Sequence, residues 1–150
     1  MNQKDLKILS YLRLNARMPL TKMSKCTSIP ISTIFDRIKI FQENVVRKHT
    51  SLLDFSKLGY ATRASILLSI EKEDREGVKN YLETHQSINS VFKVNNGFDF
   101  MVEGVFRQIK DMEDFLDALD SKFKVKDKKS YYIIDEVKRE AFLSDPQLII

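Results

Sequence analysis

The residues best suited to chemistry in this chain are basic and hydroxyl side chains near its N-terminus. Residues 1–60 contain eleven Lys/Arg and four Asp/Glu, whereas the remaining residues contain 14 and 17. A local positive excess of this kind is typical of a surface that binds a polyanion such as nucleic acid, although many basic N-terminal regions bind none. The candidate DNA contacts in this region are Ser32, Thr33, Asp36, Arg37, Lys39, Arg47, Lys48, Lys22 and Lys25.

Other kinds of site have little support. The single cysteine, Cys26, excludes an internal disulfide and a Cys-based zinc cluster, and His49 and His85 are far apart in the sequence. With only four glycines, no phosphate-binding loop is recognisable, and neither a Ser/His/Asp set nor a paired-carboxylate site is present. We therefore expect a protein with no metal, no cofactor and no enzymatic activity.

The location of the protein is also constrained by the sequence. The first residues are charged and lack the apolar segment of a secretory signal. No stretch approaches the roughly 18 apolar residues that a membrane helix requires. These features predict a cytoplasmic protein without a membrane partner.

Three short helices are predicted to position the candidate DNA contacts. The first covers about Lys4 to Leu14, the second begins at Thr21 as its N-cap with Cys26 facing inward, and the third covers about Pro30 to Glu43. Thr27 and Ser28 form the tight turn before the third helix, so residues 1–53 are predicted to be a helix-turn-helix domain. The segment Val45 to Leu53 could then form a short hairpin wing.

After a linker at residues 54–60, residues 61–150 have the pattern of an α+β domain. The predicted order is β-α-β-β-α-β, a ferredoxin-like arrangement, and Asn96-Gly97 is a hairpin turn signal between the second and third strands. The predicted elements are a strand at 61–70, a helix at 74–85, strands at 88–94 and 98–106, a helix at 109–123 and a strand at 131–137. The apolar tail after Arg139 is expected to pack on a partner subunit or on its own domain.

Several short motifs, combined with this order of elements, resemble the Lrp/AsnC (feast/famine) family of transcriptional regulators. The similarity covers about residues 4 to 140. The matching motifs are Asp5-Leu6-Lys7-Ile8-Leu9, Asn15-Ala16-Arg17, Ser32-Thr33-Ile34-Phe35-Asp36-Arg37-Ile38-Lys39, Lys57-Leu58-Gly59-Tyr60 and Asn96-Gly97-Phe98-Asp99.

The resemblance implies a sequence-specific regulator that binds double-stranded DNA. Near the start of the third helix, Ser32 and Thr33 would reach base edges, and Arg37 would contact a phosphate or a base. Lys39, Arg47 and Lys48 would meet phosphates, with Lys22 and Lys25 as further candidates. Asp36 would either accept a hydrogen bond from cytosine or, as we favour, form an ion pair with Lys39 on the helix surface.

The resemblance also implies assembly and a small effector. Family members form dimers by packing sheet against sheet, often assembling to octamers, and the faces of Ile66, Leu68, Ile70, Phe100 and Val102 suit that contact, unless they meet only their own helices. An amino-acid effector would bind near Asn96, Gly97, Phe98 and Asp99, with Asp99 accepting its ammonium group. Alternatively, Asn96-Gly97 is a plain turn that Asp99 caps.

Two other functions remain open at the level of sequence. Sirohaem decarboxylases have a similar two-part architecture, but the hairpin VNNGFDF lacks the His and Arg that a polyanionic tetrapyrrole would need. An oligomeric ligand sensor whose helix-turn-helix no longer reads DNA is the third hypothesis, because Pro30 and Asp36 are unusual in a strong base reader.

Overall fold

The structure, a computed structural model, describes residues 1–149 and divides into two compact units. The helical unit comprises Met1–Leu52 together with the C-terminal residues from Val137 onward, and the sheet unit comprises Leu53–Glu136. The sequence placed residues 137–150 with the second domain, but the packing places the tail from Val137 with the helices. The chain therefore crosses between the two units twice. None of the helices in the described part of the chain is long and apolar enough to cross a membrane.

The helical unit contains the three predicted helices around one apolar core. They are α1 (Gln3–Leu14), α2 (Leu20–Thr27) and α3 (Ile31–Asn44). Ser28 adopts the left-handed conformation (φ 57°) that turns the chain between α2 and α3. The core consists of the buried side chains of Ile8, Leu9, Met23, Ile29, Ile34 and Phe41.

Three details of this unit differ from the prediction. Thr21 is not an N-cap, because α2 begins at Leu20 after Pro19, without a capping side chain. Cys26 is exposed and does not face the core. The wing is not formed, since residues 46–54 contain no strand. Five consecutive polar residues, RKHTS at 47–51, leave this segment without the alternating apolar face that a hairpin needs.

The sheet unit has the predicted β-α-β-β-α-β order. Its elements are β1 (Thr62–Ile70), α4 (Arg75–Thr84), β2 (Ile88–Lys93), β3 (Phe100–Phe106), α5 (Ile109–Lys122) and β4 (Val125–Tyr132). The strands form one antiparallel sheet in the order β2-β3-β1-β4. Short 3-10 helices lie at Phe55–Leu58 in the predicted linker, at Lys72–Asp74 and, in the C-terminal tail, at Pro146–Leu148.

The last strand begins six residues earlier than predicted. The sequence favoured Tyr131 to Val137 because of the apolar run YYII, whereas the structure pairs Val125–Tyr132 with β1. β4 is an edge strand and nearly all of it is exposed, so its polar sequence KDKKS carries no burial pattern. A strand of this kind has no apolar alternation by which it could be predicted.

One face of the sheet is buried by the unit's own helices. Ile66, Leu68 and Ile70 of β1 are fully buried and pack in one core with residues of α4 and α5. Phe100 and Val102 of β3 belong to the same core. The prediction that these five residues form a dimer face is therefore wrong, because they meet only their own helices. The opposite face of the sheet, called here the open face, contains the residues between them.

Candidate nucleic-acid interface and hairpin site

The first turns of α3 carry the exposed polar residues that were predicted to read DNA. Ser32, Thr33, Asp36 and Lys39 are all exposed. The inward side of the same helix is formed by Ile34 and Phe41, which anchor it in the core. Pro30 precedes α3 and supplies no side-chain cap, so the N–H groups of the first turn keep their capacity to donate to another group. This arrangement presents hydroxyl, carboxylate and backbone donors and acceptors on an anchored helix.

Arg37 differs from the other candidates because its side chain binds a residue of α1. Its Nε and Nη2 donate to the two carboxylate oxygens of Asp5 at 2.7 and 2.5 Å. The side chain of Arg37 is 35% exposed and that of Asp5 is 5% exposed. Within residues 1–149, only Nη1 of this guanidinium makes no hydrogen bond to the protein. Arg37 thus joins α3 to α1, and a planar bidentate pair of this kind fixes the direction of both side chains.

Asp5 also organises the start of α1. Its backbone N–H donates to Oδ1 of Asn2 at 2.9 Å, and its Oδ2 accepts from the N–H of Asn2 at 3.2 Å, which completes a capping box. The hydrogen bond from Arg37 is the main reason that the pKa of Asp5 lies below its ordinary value, in spite of burial, which acts in the opposite direction. The sequence marked Asp5 only as part of a motif. Its spacing gave no sign of the ion pair, although a buried acid always needs a partner.

The predicted pair between Asp36 and Lys39 is not formed. Over the part of the chain that the structure describes, neither side chain has an ion-pair partner. Both charges therefore remain available to an external ligand. The favoured interpretation of Asp36 as half of a surface pair has no support in the structure.

The remaining basic candidates are exposed on the helical unit. Lys22 and Lys25 lie on α2, and Arg47 and Lys48 follow α3. The helical unit as a whole contains twelve Lys/Arg and five Asp/Glu, whereas the sheet unit contains 13 and 16. The excess of positive over negative charge thus lies on the unit that contains the helix-turn-helix. Binding to a phosphate backbone requires this distribution.

Two exposed apolar side chains in the first two turns of α3 were not predicted from the sequence. Phe35 is 58% exposed and Ile31 is 45% exposed. They are four residues apart, so they lie side by side along one edge of the exposed surface of the helix. The periodicity of the core residues carries no signal for them, because they fall outside the inward stripe.

The hairpin predicted as an effector site has the expected turn. Asn96 and Gly97 have φ values of 65° and 87°, the left-handed pair that a tight two-residue turn uses. A β-carbon at Gly97 would have no atom within 4 Å, so the turn is open to a ligand. Lys129 places its Nζ 5.5 Å from the ring centre of Phe98, at the base of this hairpin.

Asp99 is already engaged within the sheet unit. Its Oδ2 accepts from the N–H of Ile70 at 2.7 Å, and its Oδ1 lies 3.2 Å from Nε of Arg75. The side chain therefore connects the hairpin to the end of β1 and to the start of α4, and it does not cap the turn. An ammonium group could reach Asp99 only by sharing it with Arg75 or by displacing Arg75.

The open face of the sheet contains a row of apolar side chains from three strands. Phe92, Met101 and Leu67 are register partners in that order, and Lys129 ends the row on β4. Phe92 is 54% exposed and Met101 is 37% exposed. Arg63, also on β1, pairs with Glu103 at 2.8 Å and with Glu136 at 2.7 Å. An apolar row beside a charged network has the composition of a protein contact surface.

No metal site is formed by the described residues, since no three His, Cys, Asp or Glu side chains come together in residues 1–149. The geometry consists of an anchored helix with exposed polar residues, a positive unit around it, and a separate sheet with an open hairpin and an open face. These are features of binding and assembly.

Comparison with known proteins decides the family. The family model of the Lrp/AsnC ligand binding domain matches residues 63–142. The chain belongs to the Lrp/AsnC family. Among curated relatives, the HTH-type transcriptional regulator FL11 of Pyrococcus furiosus is 30% identical over 118 residues, which are 78% of each chain. An uncharacterized HTH-type transcriptional regulator of the same organism is 27% identical over 95% of this chain and 96% of its own.

Solved structures of Lrp/AsnC regulators share the fold over nearly the whole chain. A transcriptional regulator of Neisseria meningitidis, solved in complex with L-Met, superposes with a TM-score of 0.86 at 24% identity and 93% coverage of both chains. AsnC of E. coli gives a TM-score of 0.81 at 15% identity, covering 93% of this chain and 95% of its own. The predicted combination of a helix-turn-helix and a ferredoxin-like domain is confirmed as the architecture of this Lrp/AsnC protein.

Proposed function

We propose that this Lrp/AsnC protein regulates transcription by binding specific double-stranded DNA sequences through α3. The observation that carries the proposal is the exposed start of α3, with Ser32, Thr33 and Asp36, on the unit that holds the positive charge of the chain. Hydroxyl groups at the start of a groove-inserted helix reach base edges, and surrounding lysines and arginines contact phosphates. Because DNA is the proposed partner, the proposed location is the cytoplasm.

The roles of the candidates follow from their exposure and partners. Ser32 and Thr33 read base edges, and Asp36, free of Lys39, accepts from an amino group such as cytosine N4. Lys39, Arg47, Lys48, Lys22 and Lys25 meet phosphates. Arg37 acts mainly as a positioning residue, because Asp5 holds two of its three nitrogens and only Nη1 is left for a phosphate.

We also propose that the protein acts as a homodimer joined through the open face of the sheet. A single helix-turn-helix makes a small interface, and two of them on a dimer bind two half-sites together. The row of Phe92, Met101 and Leu67 leaves apolar area exposed that a second copy would cover. Octamers would arise from further contacts between such dimers.

A small effector, such as an amino acid, is part of the proposal. The L-Met complex of the Neisseria regulator supports this class of ligand. The open turn at Asn96 and Gly97, with Phe98 beside it, is the proposed place of contact. Asp99 would transmit the effect of binding, because it bonds both Ile70 and Arg75. A ligand at the hairpin would thereby alter the contacts at the end of β1 and at the start of α4.

A non-enzymatic role is favoured over the sirohaem-decarboxylase alternative. The residues around the hairpin offer an amide, a phenyl ring and a carboxylate, with Lys129 and the Asp99-bound Arg75 as nearby cations. A polyanionic tetrapyrrole would need several cations and an axial ligand there, such as histidine.

Selection of bound sequences from random duplexes tests the proposal. We expect the full chain to enrich one motif of two related half-sites, and addition of amino acids to change the affinity for that motif. Replacing both Ser32 and Thr33 by Ala should weaken the base preference at one or more positions of the enriched motif. If no motif is enriched while weak binding persists, the ligand sensor without specific DNA reading replaces this function.

A further inference from the structure

Phe35 is exposed although it lies on α3 beside the core of the helical unit. Its side chain is 58% exposed, whereas Ile34 beside it is fully buried and Phe41 is 3% exposed. Within residues 1–149, Phe35 does not belong to the core of the helical unit. Together with Ile31, which is 45% exposed, it forms an apolar edge in the first two turns of the helix. That half of a recognition helix is the part that contacts bases.

The other residues in these two turns include no free Arg or Lys that could make the usual bidentate contact to guanine. The commonest specific contact to guanine is a bidentate Arg or Lys. Arg37 is the basic residue nearest the start of α3, and its fork is occupied by Asp5. The next one, Lys39, lies two residues further along, just beyond the first two turns of the helix. What remains at the start of α3 is two hydroxyls, one carboxylate and the apolar edge.

An apolar edge in the major groove has one chemical counterpart among the bases, the 5-methyl group of thymine. The positive charge of the helical unit favours a duplex over an apolar protein partner at this surface, because twelve Lys/Arg stand against five Asp/Glu. The apolar edge is also continuous with Ser32, which shares the first turn with Ile31 and is a proposed base contact.

We propose that Phe35 is a specificity-determining residue that packs on the 5-methyl group of a thymine in each half-site, with Ile31 beside it. This inference rests on the proposed function and adds to it the class of DNA that is bound: sites with a thymine at the position facing Phe35. Specificity at that base comes from apolar contact, and the phosphate contacts carry the affinity.

The methyl group can be tested without changing the protein. In a duplex carrying the selected motif, each thymine in turn is replaced by deoxyuridine, which lacks only the 5-methyl group. We expect one position in each half-site where this replacement weakens binding about fourfold, the loss that follows from exposing one buried methyl group. Fluorescence anisotropy titration at fixed salt gives the ratio.

Variants then connect that position to Phe35. Phe35→Ala should bind the thymine and deoxyuridine duplexes equally, and Phe35→Leu should retain part of the difference. Ile40→Ala is the matched control, because Ile40 is an apolar residue of the same helix, 46% exposed, and lies beyond the first two turns. This control should respond to the methyl group as the natural protein does. Circular dichroism checks that each variant is folded.

The outcomes separate the two proposals. If selection enriches a motif but no thymine is sensitive to loss of its methyl group, the inference about Phe35 is overturned and the proposed function stands. The same holds if Phe35→Ala keeps the full sensitivity. If selection enriches no motif at all, the proposed function falls and the inference falls with it.

Discussion

At the scale of single residues, the ion pair between Asp5 and Arg37 determines how α3 is held. It joins the start of α1 to the second turn of α3, and Asp5 serves the capping box at the same time. A buried carboxylate with a charged donor contributes much more than a surface ion pair. The orientation of α3, the proposed reading helix, therefore depends on a residue of another helix that is not itself a candidate DNA contact.

Asp5→Asn keeps the shape of the side chain but removes its charge. We expect the free energy of unfolding of the helical unit to fall by about 2 kcal/mol at neutral pH, toward the low end for charge-assisted hydrogen bonds because Arg37 is partly exposed. Denaturant titration followed by circular dichroism measures it. Asp36→Asn, at an exposed acid of the same unit that pairs with no other residue in the described part of the chain, should change little.

The contribution of Asp5 to the free energy of unfolding also depends on pH. The pKa of Asp5 is lowered in the folded state, chiefly by the hydrogen bond from Arg37. Its stabilisation is therefore complete above the unfolded value of about 3.9 and is lost as the pH falls through the lower folded value. The gap in stability between the natural protein and Asp5→Asn should close below about pH 4. A gap that is constant with pH would contradict the ion pair.

At the scale of elements, the C-terminal tail is a part of the helical unit. Arg13 of α1 donates through Nε to the carbonyl of Phe142 and through Nη2 to the carbonyl of Glu140, both at 2.8 Å. Leu143 packs on the helical core. Glu140 and Leu143 have positive φ values of 51° and 57°, which are costly for residues with side chains, so these contacts must outweigh the strain.

Arg13→Ala should release the tail. We expect a loss of about 0.5–1 kcal/mol of stability, from hydrogen bonds of a charged group that is partly exposed, and faster tryptic cleavage after Lys138 and Arg139. Timed proteolysis followed by mass spectrometry measures the rate. Arg17→Ala, another exposed arginine just beyond α1, serves as the control. Equal cleavage rates in all three proteins would mean that Arg13 does not hold the tail.

The elements differ in how well the sequence predicts them. The core stripes of α1, α3, α4 and α5 follow the helical period, and each of these helices lies within two residues of its predicted bounds. β4 was misplaced because an exposed edge strand has no apolar alternation. The tail could not be assigned because an apolar segment does not reveal which surface it covers.

At the candidate site, exposure of Ser32 and Thr33 followed from the pattern, whereas the partners of Arg37 and Asp99 depend on residues 32 and 29 positions away.

At the scale of the whole molecule, the proposed DNA binding uses the helical units of two protomers together. The proposed dimer contact is the open face, where Phe92, Met101 and Leu67 form a row across three strands. Each of these side chains points away from the core of its own unit, so a charge placed there disturbs association more than folding. This distinguishes the open face from the buried face that the sequence favoured.

Met101→Glu should dissociate the dimer. An unpaired carboxylate in the middle of an apolar contact is costly, and we expect sedimentation velocity at micromolar concentration to give a monomer with an unchanged circular dichroism spectrum. DNA affinity should fall along with dimerisation. Ile109→Glu, at an exposed apolar residue on α5, should remain a dimer. A Met101→Glu dimer as stable as the natural one would place the contact elsewhere.

Sequence-specific binding through α3 is tested by titrating a selected duplex and a scrambled duplex of the same composition over a range of salt concentrations. We expect the selected duplex to bind at least about 10³ times more tightly. We also expect the logarithm of both affinities to fall linearly with the logarithm of salt concentration. Equal affinity for the two duplexes at every salt concentration would rule out sequence-specific binding, because α3 would then hold DNA without reading its sequence.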